Sequence, residues 1–356
     1  MQNILFQPIK INNLELKNRF VMPAAADNLQ NNPEMRIKRF AMLAEGGIGL
    51  IISGGTAFDE VGVWQNIVDV VHRNNAKIAI QLVGKEGIEK TGRGVSVLSE
   101  DSPVFNQYQK YCDHRALTDS EIMGVVASYA AMAVKAKSVG VDAIEIHAAH
   151  QSLPSQFLSP ITNKRDDRWG GSLENRMRLH CEIFKAIRAE VGADFPIMIK
   201  LGVQDALKDG LLFSEGKIAA QMLTACGYDA LEISQGLQDI GRVTSFGDWS
   251  GTPMRSKINK ITDEGYFRSW CHEIKQSIVK PTILTGGLRS YELIANIVEN
   301  SETDLVGLCR PLIREPNLIN RWQGGDYRKA NCVSCNKCIT ELLLKGLSLE
   351  CYLDNK

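Results

Sequence analysis

The feature that most constrains the fold of this chain is a regular alternation of short β-branched segments with amphipathic helical segments between residues 19 and 323. Eight such units can be counted, and their strands are predicted at residues 19–24, 49–53, 77–82, 142–147, 196–201, 229–234, 282–285 and 304–308. Repeated βα units build parallel sheets. Eight units in about 300 residues, with no G-x-G-x-x-G motif after the first strand, favour a closed barrel over an open doubly wound sheet. The sequence therefore predicts an α/β fold, a (β/α)8 TIM barrel over residues 1–330, followed by a short cysteine-containing C-terminal tail over residues 331–356.

Two local patterns refine this prediction. Thr118 and Glu121 have the spacing of a capping box, and they precede an alanine-rich helix that is predicted to end near Gly140. Residues 84–117 show little periodicity. A segment of that length after the third strand predicts a functional lid or a small β insertion.

Charge and hydropathy exclude several classes of partner. The 41 Lys and Arg residues balance 41 Asp and Glu residues, so the chain offers no basic field for nucleic acid or for an anionic membrane. No apolar run approaches about 18 residues, and the first residues lack the basic-then-apolar order of a signal peptide. We therefore expect a cytoplasmic protein with reduced cysteines that acts on a small molecule. Whether it forms a homo-oligomer stays open.

The ends of predicted strands seven and eight carry residues suited to binding a phosphate. Gly286 and Gly287 follow strand seven, and Arg310 follows strand eight. A Gly-Gly pair alone is usually a turn, but many barrels build a phosphate site from these two loops. Backbone N–H groups and a guanidinium fork both suit a dianion, so the three residues together predict a phosphate site.

Two polar residues at other strand ends would face the rest of such a ligand. Gln81 ends strand three and Lys200 ends strand five. Each has an ordinary alternative, because a glutamine can fill a barrel layer and a lysine can extend into solvent. Together they fit flavin mononucleotide (FMN), since an amide complements the pyrimidine edge of the ring and a cation favours the negative charge that reduction places there. The small residues Ala24, Ala25 and Ala26 would let the ring lie against the backbone.

A pair of histidines lies at the end of strand four. His147 ends the strand and His150 follows three residues later. Two histidines without a third ligand in register make a weak zinc site, so no metal ligand is assigned. Paired imidazole N–H groups aimed at a carbonyl oxygen would instead polarise an enone for hydride transfer from flavin N5. Histidines packed in the core or at the rim are the alternative.

Residues 141–178, VDAIEIHAAHQSLPSQFLSPITNKRDDRWGGSLENRMR, resemble the signature of the old yellow enzyme family of NAD(P)H:flavin oxidoreductases. The similarity extends to LKNRFVMPAAA, GLIISGGTA, KIAIQL, PTILTGG and DLVGLCRPLIREPNL, and so covers nearly the whole chain. It implies an FMN-bound barrel in which NAD(P)H reduces the flavin and leaves, after which an activated alkene takes the hydride. It also implies that His147 and His150 bind the substrate oxygen. The residues that it implies for the cofactor are Ala24, Ala25, Ala26, Gly55, Gln81, Lys200, Gly286, Gly287, Cys309 and Arg310.

Three positions depart from the family pattern. Ser152 stands where a tyrosine commonly protonates the substrate α-carbon, Lys200 replaces a common arginine, and Gly84 replaces a common histidine. A serine hydroxyl is a poorer and shorter acid than a phenol. The main prediction is an ene-reductase that acts on an alkene activated by a carbonyl group. The alternatives are another FMN-dependent dehydrogenase or demethylase, a flavin electron carrier without an alkene substrate of its own, and a non-flavin barrel such as an aldolase that uses Lys200 as a Schiff-base amine.

Four cysteines crowd the tail, at Cys332, Cys335, Cys338 and Cys351. They resemble the iron–sulfur motif of the larger dienoyl-CoA reductase and trimethylamine dehydrogenase relatives, in which a cluster relays electrons between FMN and a second flavin domain. Three interpretations stay open: reduced cysteines without a metal, a [4Fe–4S] cluster, and zinc. Because the sequence stops at Lys356, no second flavin domain is expected.

Overall fold

The computed structural model describes residues 3–56, 61–83, 93–94 and 115–353. Its main sheet has eight strands: β3 (Phe20–Met22), β4 (Leu50–Thr56), β5 (Lys77–Leu82), β8 (Ala143–Ala148), β9 (Ile197–Gly202), β10 (Ala230–Ser234), β11 (Thr282–Thr285) and β12 (Leu305–Gly307). They pair in parallel in that order, and β12 returns to β3 to close a barrel. The predicted (β/α)8 barrel is confirmed, and every predicted strand is present with its ends shifted by at most three residues.

Helices connect the strands. They are α1 (Pro33–Glu45), α2 (Val61–Arg73), α3 (Asp119–Ser138), α4 (Leu153–Leu158), α5 (Leu173–Val191), α6 (Phe213–Cys226), α7 (Ile240–Phe246), α8 (Arg268–Lys275), α9 (Tyr291–Glu299), α10 (Cys309–Arg314), α11 (Leu318–Gln323) and α12 (Lys337–Lys345). The predicted capping box begins α3: Glu121 N donates to Thr118 Oγ1 at 3.3 Å, and Thr118 N donates to Glu121 Oε2 at 2.9 Å. Across the described ranges, no helix is long and apolar enough to cross a membrane.

The predicted excursion at residues 84–117 lies largely outside the described residues, as does Gly84. The structure describes only β6 (Arg93–Gly94), β7 (Arg115–Ala116) and the residue that follows β7, and it pairs these two short strands in parallel. The prediction of a lid or insertion therefore stays a prediction.

An N-terminal hairpin, which the sequence did not indicate, closes one end of the barrel. Strands β1 (Ile9–Ile11) and β2 (Leu14–Leu16) pair antiparallel. Their buried side chains Ile11, Leu14 and Leu16 join one apolar cluster with side chains from all eight barrel strands. Three-residue strands carry too short an alternation for a pattern to identify them.

The interior of the barrel changes from apolar to polar along its axis. Side chains alternate between the interior and the helices along each strand. The interior positions toward the strand N-termini belong to the apolar cluster that contains the hairpin. Two residues further along, several strands place a polar or charged side chain inside. These interior pairs are Ala79 and Gln81, Ala143 and Glu145, Met198 and Lys200, Ala230 and Glu232, and Ile283 and Thr285.

Two outer helices are covalently joined. Cys181 of α5 and Cys226, the last residue of α6, form a disulfide with their Cα atoms 5.8 Å apart. The expectation that the cysteines are reduced is therefore wrong for this pair. Consecutive helices of a barrel lie side by side, so two cysteines 45 residues apart in sequence come together on the outside of the barrel. Sequence spacing alone does not reveal such a pairing.

The tail lies across the rim at the carboxyl ends of the strands. Lys257 N donates to Ser334 O at 3.0 Å, and Leu349 N donates to Asp27 O at 3.1 Å. Cys338 and Ile339 of α12 pack in a small apolar cluster that the barrel residues Ala25, Trp249, Met254 and Ile313 contact. The segment after residue 330 is thus held against the same end of the barrel as the predicted site.

Candidate active site

A buried polar layer lies inside the barrel near the ends of four neighbouring strands, β5, β8, β9 and β10. Its members Gln81, Glu145, Lys200 and Glu232 are each at most 4 % exposed. Gln81 Nε2 donates to Glu145 Oε2 at 2.7 Å. Lys200 Nζ lies 3.2 Å from Glu232 Oε1 and 4.0 Å from Glu145 Oε2. Thr285 Oγ1 donates to Glu232 Oε1 at 2.9 Å. The structure therefore brings Gln81 and Lys200 together, as predicted, and adds two carboxyl groups.

Burial and the neighbouring charges decide the protonation of this layer. Burial, followed by the nearby Glu232 carboxylate, raises the pKa of Glu145 to about 8. Burial alone would lower the pKa of Lys200, but Glu232 and Glu145 outweigh it and hold that pKa above its usual value. At pH 7 the lysine is charged and Glu145 keeps its proton. The lysine cation is therefore offset by Glu232 and is not isolated.

The two predicted histidines lie close together at the mouth of the barrel. The ring centroids of His147 and His150 are 5.2 Å apart, and His150 Nε2 is 2.7 Å from Ser234 Oγ. Burial and the Lys200 cation lower the pKa of His147 to about 3. Burial, His147 and Lys200 hold the pKa of His150 well below its usual value. Both imidazoles are therefore neutral at pH 7, and each offers one N–H donor.

The loop that presents His150 has an unusual backbone. His150 and Gln151 both adopt left-handed conformations, with φ of 51° and 73°. Such conformations cost side-chain-bearing residues free energy and persist where the surroundings hold them. Here the amide of His150 donates to the carbonyl oxygens of Gln235 and Gly236 at 3.3 and 3.1 Å. The loop after β10 thereby holds the backbone of His150 in place.

Ser152 has a local hydrogen-bonding role. Its Oγ donates to the His147 carbonyl oxygen at 2.7 Å, and the residue is the N-cap of α4. The hydroxyl proton is therefore directed at the backbone of the histidine loop and away from a substrate.

The predicted phosphate residues line one cavity of about 70 Å³. Gly286 and Gly287 have φ of 140° and 73°, and a Cβ on either would come within 3 Å of the Tyr266 ring. Arg310 donates from Nη1 to Arg255 O at 2.8 Å and to Asn336 Oδ1. The structure thus brings the three predicted residues together and adds Asn336 of the tail, which contacts the same guanidinium.

The remaining predicted cofactor residues lie around the rim. Ala24, Ala25 and Ala26 follow β3, and a Cβ on Gly54 would lie 2.3 Å from Ala25 O, so this loop and the end of β4 are in direct backbone contact. Gly55 is exposed near the end of β4. Cys309 begins α10 and lines the phosphate cavity. All ten predicted positions therefore surround the carboxyl-terminal mouth of the barrel.

The residues present fit FMN. His147 Nδ1 is buried near the mouth and has no hydrogen-bond partner among the described residues, so a polar atom there can still bind a ligand. Glycines end two of the interior columns: a Cβ on Gly202 would lie 2.4 Å from Gly236 Cα, and one on Gly307 would lie 2.2 Å from Thr285 Oγ1. At these two columns, no side chain extends above the buried polar layer. A guanidinium and two glycine amides lie at one side of it.

Sequence reasoning missed Glu145 and Glu232. Both occur inside segments identified as buried strands, IEIH and LEIS. An acidic residue at an interior position of such a strand is rare unless it is paired, so Glu145 and Glu232 each indicate a buried polar site in the sequence itself. Strand-end positions alone do not reveal these two glutamates, because both lie before the last residue of their strands. Asn336 carries no comparable signal, since its contact depends on how the tail folds back.

The four tail cysteines come together. Cys332, Cys335, Cys338 and Cys351 all line one cavity of about 20 Å³, together with Arg310 and Arg314. Burial raises the pKa of Cys338 to about 12, so without a metal this group is a protonated thiol. Within the part of the chain that the structure describes, no three ligating side chains are arranged to hold a single metal ion.

The fold and site define a class of protein, a (β/α)8 barrel with a flavin-type site at the carboxyl ends of its strands. The sequence matches the NADH:flavin oxidoreductase / NADH oxidase family over residues 4–329, and the chain belongs to that family. The resemblance to the old yellow enzyme family is thereby confirmed. The cofactor is FMN.

Individual relatives agree with this assignment. The chain is 30% identical over 99% of its length to a cinnamate reductase of Clostridium sporogenes and covers 57% of that protein. It is 30% identical over 88% of its length to an NADPH dehydrogenase of Clostridium acetobutylicum and covers 93% of that protein. A 2-naphthoyl-CoA reductase in complex with 2-naphthoyl-CoA has the same fold, with a TM-score of 0.82 and 24% identity over 99% of this chain and 57% of that one. The chain spans about half the length of several curated relatives that it matches.

Proposed function

We propose that the protein uses FMN and NAD(P)H to reduce an alkene that is activated by a carbonyl group. The neutral pair His147 and His150 carries this proposal. Two neutral N–H donors can bind a carbonyl oxygen and stabilise the negative charge that develops there. The relatives named cinnamate reductase and NADPH dehydrogenase support this reaction class.

The proposal gives the chain's own residues the task of holding and orienting the cofactor. Bound FMN would accept hydride from NAD(P)H and pass it to the alkene. Gln81 would complement the pyrimidine edge, and Lys200 would stabilise negative charge beside it. Arg310, with the amides of Gly286 and Gly287, would hold the phosphate. The residues that would line the rest of the cofactor are Ala24, Ala25, Ala26, Gly55 and Cys309.

The proton for the substrate α-carbon would come from solvent. The residue at the family's proton-donor position is Ser152, and its hydroxyl donates to the His147 carbonyl. A group engaged in this way is a poor general acid. His147 and His150 are both partly exposed at the mouth of the barrel, which is consistent with solvent as the proton source.

The double variant His147→Ala/His150→Ala tests the proposal. We expect it to keep FMN, to lose phenol binding as followed by charge-transfer absorbance, and to lose enone reduction. His272→Ala is the matched control, because His272 lies on the outer helix α8 and its replacement should leave all three readouts unchanged. Undiminished enone turnover in the double variant would remove the proposed role of the pair.

The second candidate is another FMN-dependent dehydrogenase or demethylase. The engagement of Ser152 favours it, since an oxidation of the substrate needs no proton donor at that place. Bleaching of the flavin by amines, without charge-transfer absorbance on adding a phenol, would select this candidate. Reoxidation by protein acceptors alone would instead select the flavin electron carrier.

A separate proposal concerns the tail. Because Cys332, Cys335, Cys338 and Cys351 line one cavity, we propose that they hold a [4Fe–4S] cluster. A cluster lies between its ligands, so its thiolates stand farther apart than those that hold a single ion. Analysis of anaerobically purified protein should find about four iron and four sulfide per chain. Zinc in their place, or neither metal, would contradict the proposal.

A further inference from the structure

Each carboxyl group of the buried polar layer has one occupied and one free oxygen. Oε2 of Glu145 accepts from Gln81, and Oε1 of Glu232 accepts from Thr285 and lies 3.2 Å from the Lys200 ammonium. The other oxygens, Glu145 Oε1 and Glu232 Oε2, are buried, and no donor within the described part of the chain contacts them. The two carboxyls are within hydrogen-bonding reach of each other. Two carboxyl groups that interact through a hydrogen bond need one hydrogen between them, because an ionised carboxylate oxygen only accepts.

The charges lead to the same conclusion. Two ionised carboxylates and one ammonium would leave one uncompensated negative charge in a layer that is at most 4 % exposed. An unpaired buried charge is costly, and neighbouring carboxyl groups relieve that cost by keeping one proton between them. With one proton, the set of Glu145, Glu232 and Lys200 is neutral.

Among the residues that the structure describes, no other group near the two carboxyls supplies a second positive charge. His147, one layer above on β8, is neutral at pH 7. Burial raises the pKa of Cys309, so it is a protonated thiol. The groups that face the two carboxyls are therefore Gln81 from β5, His147 from β8, Lys200 from β9, Thr285 from β11 and Cys309 from α10.

We propose that Glu145 and Glu232 share a single proton, and that Glu145 is by this means a positioning residue for the cofactor. This inference rests on the proposed FMN site. A neutral Glu145 holds the Gln81 amide by its nitrogen, which leaves the amide oxygen as an acceptor for the pyrimidine edge of the flavin. It also leaves the single charge pair of Lys200 and Glu232 beneath that edge. Loss of the shared proton would add a negative charge beneath the pyrimidine edge of the flavin, where reduction of the flavin adds another negative charge.

The shared proton links the flavin potential to pH. The pKa of Glu145 is about 8. Below that pH, the carboxyl pair keeps its proton whether or not the flavin is reduced. Above that pH the proton has left the oxidised protein. The two electrons that NAD(P)H or an electrode supplies then bring negative charge to the flavin, and one further proton passes from water to the carboxyl pair. The midpoint potential should therefore fall more steeply with pH above about 8 than below it.

The first measurement is the infrared spectrum of the wild-type protein across pH values on both sides of about 8. We expect a carbonyl band of a buried protonated carboxylic acid at pH 7 that disappears at alkaline pH. The band should be absent from Glu145→Gln. This readout needs no FMN, so it tests the shared proton even if the proposed function fails. Absence of the band from the wild-type protein at neutral pH would overturn the inference.

The second measurement is spectroelectrochemical titration of the FMN-loaded protein over the same pH values. In Glu145→Gln, the midpoint potential should no longer fall more steeply with pH above the Glu145 pKa of about 8. FMN affinity should stay within about tenfold of wild type, because the glutamine oxygen can still accept from Gln81. Glu273→Gln is the control, since Glu273 pairs with Lys217 on the outside of the barrel. Steepening that persists in Glu145→Gln would overturn the inference, whereas failure of the wild-type protein to retain FMN would overturn the proposed function.

Discussion

The two ends of the barrel interior are built on the same strands from opposite kinds of residue. On β9, Met198 belongs to the apolar cluster closed by the N-terminal hairpin, and Lys200, two residues on, belongs to the buried polar layer. Burying the methionine stabilises the fold, whereas burying the lysine and its carboxylate partner has a desolvation cost that their attraction must offset. On the strands that carry this layer, the N-terminal end contributes to stability and the carboxyl end contributes to the proposed site.

The substitution Lys200→Met removes the cation from the polar end of the barrel interior and should have the largest effect on stability. Removal of one partner leaves the Glu232 carboxylate buried without its cation, which should lower the free energy of unfolding by about 3–5 kcal/mol at pH 8. The loss should shrink at pH 5, because protons on the carboxyl pair then remove the buried charge that lacks a partner. Urea denaturation at both pH values measures this. A loss of equal size at both would show that the ion pair is not its cause.

Met198→Ala is the matched change at the apolar end of the same strand. It should lower the free energy of unfolding by about 2–5 kcal/mol through the cavity that it leaves, equally at both pH values. The flavin spectrum and FMN affinity should not change. If FMN affinity falls as far as it does in Lys200→Met, the division of the interior into a stabilising end and a site end is wrong.

Glu145→Gln should change how stability depends on pH. The pKa of Glu145 is about 8 in the folded protein, against an ordinary value of 4.5. Between these pH values the folded state holds a proton that the unfolded chain releases, so the free energy of unfolding falls as pH rises. The slope approaches about 1.4 kcal/mol per pH unit for one proton. Denaturation midpoints measured at successive pH values should show this decline in the wild-type protein and a flatter profile in the variant. A parallel decline in both would contradict the prediction.

Ser152→Ala should have the smallest effect. It removes one hydrogen bond to the His147 carbonyl, worth about 0.5–1.5 kcal/mol of stability. Enone turnover should change little, because the hydroxyl is not the proton source in the proposed reaction. A large loss of kcat with unchanged phenol binding would instead assign a proton-transfer role to Ser152.

The sequence predicted the barrel because each strand is a compact apolar segment followed by an amphipathic helix. It predicted His147, Gln81 and Lys200 as site residues because each ends such a strand. It could not predict the hairpin that closes the other end, since its strands have three residues each. The contact of Asn336 with Arg310 was also hidden, because it depends on the path of the tail in three dimensions. Glu145 and Glu232 were visible in the sequence, but only the alternation of interior positions shows that they face Lys200.

The bridge between Cys181 and Cys226 has a consequence for β9. The 45-residue span that it closes contains the whole of this strand, and therefore Lys200. In a chain-entropy description, covalent closure of a loop of this length lowers the entropy of the unfolded chain and so stabilises the folded state by about 4 kcal/mol. Strand β9, which carries the buried Lys200 cation, thus lies within a covalent ring. Cleavage of the disulfide by a reductant would make this segment easier to unfold, and the charge balance beneath the flavin depends on it.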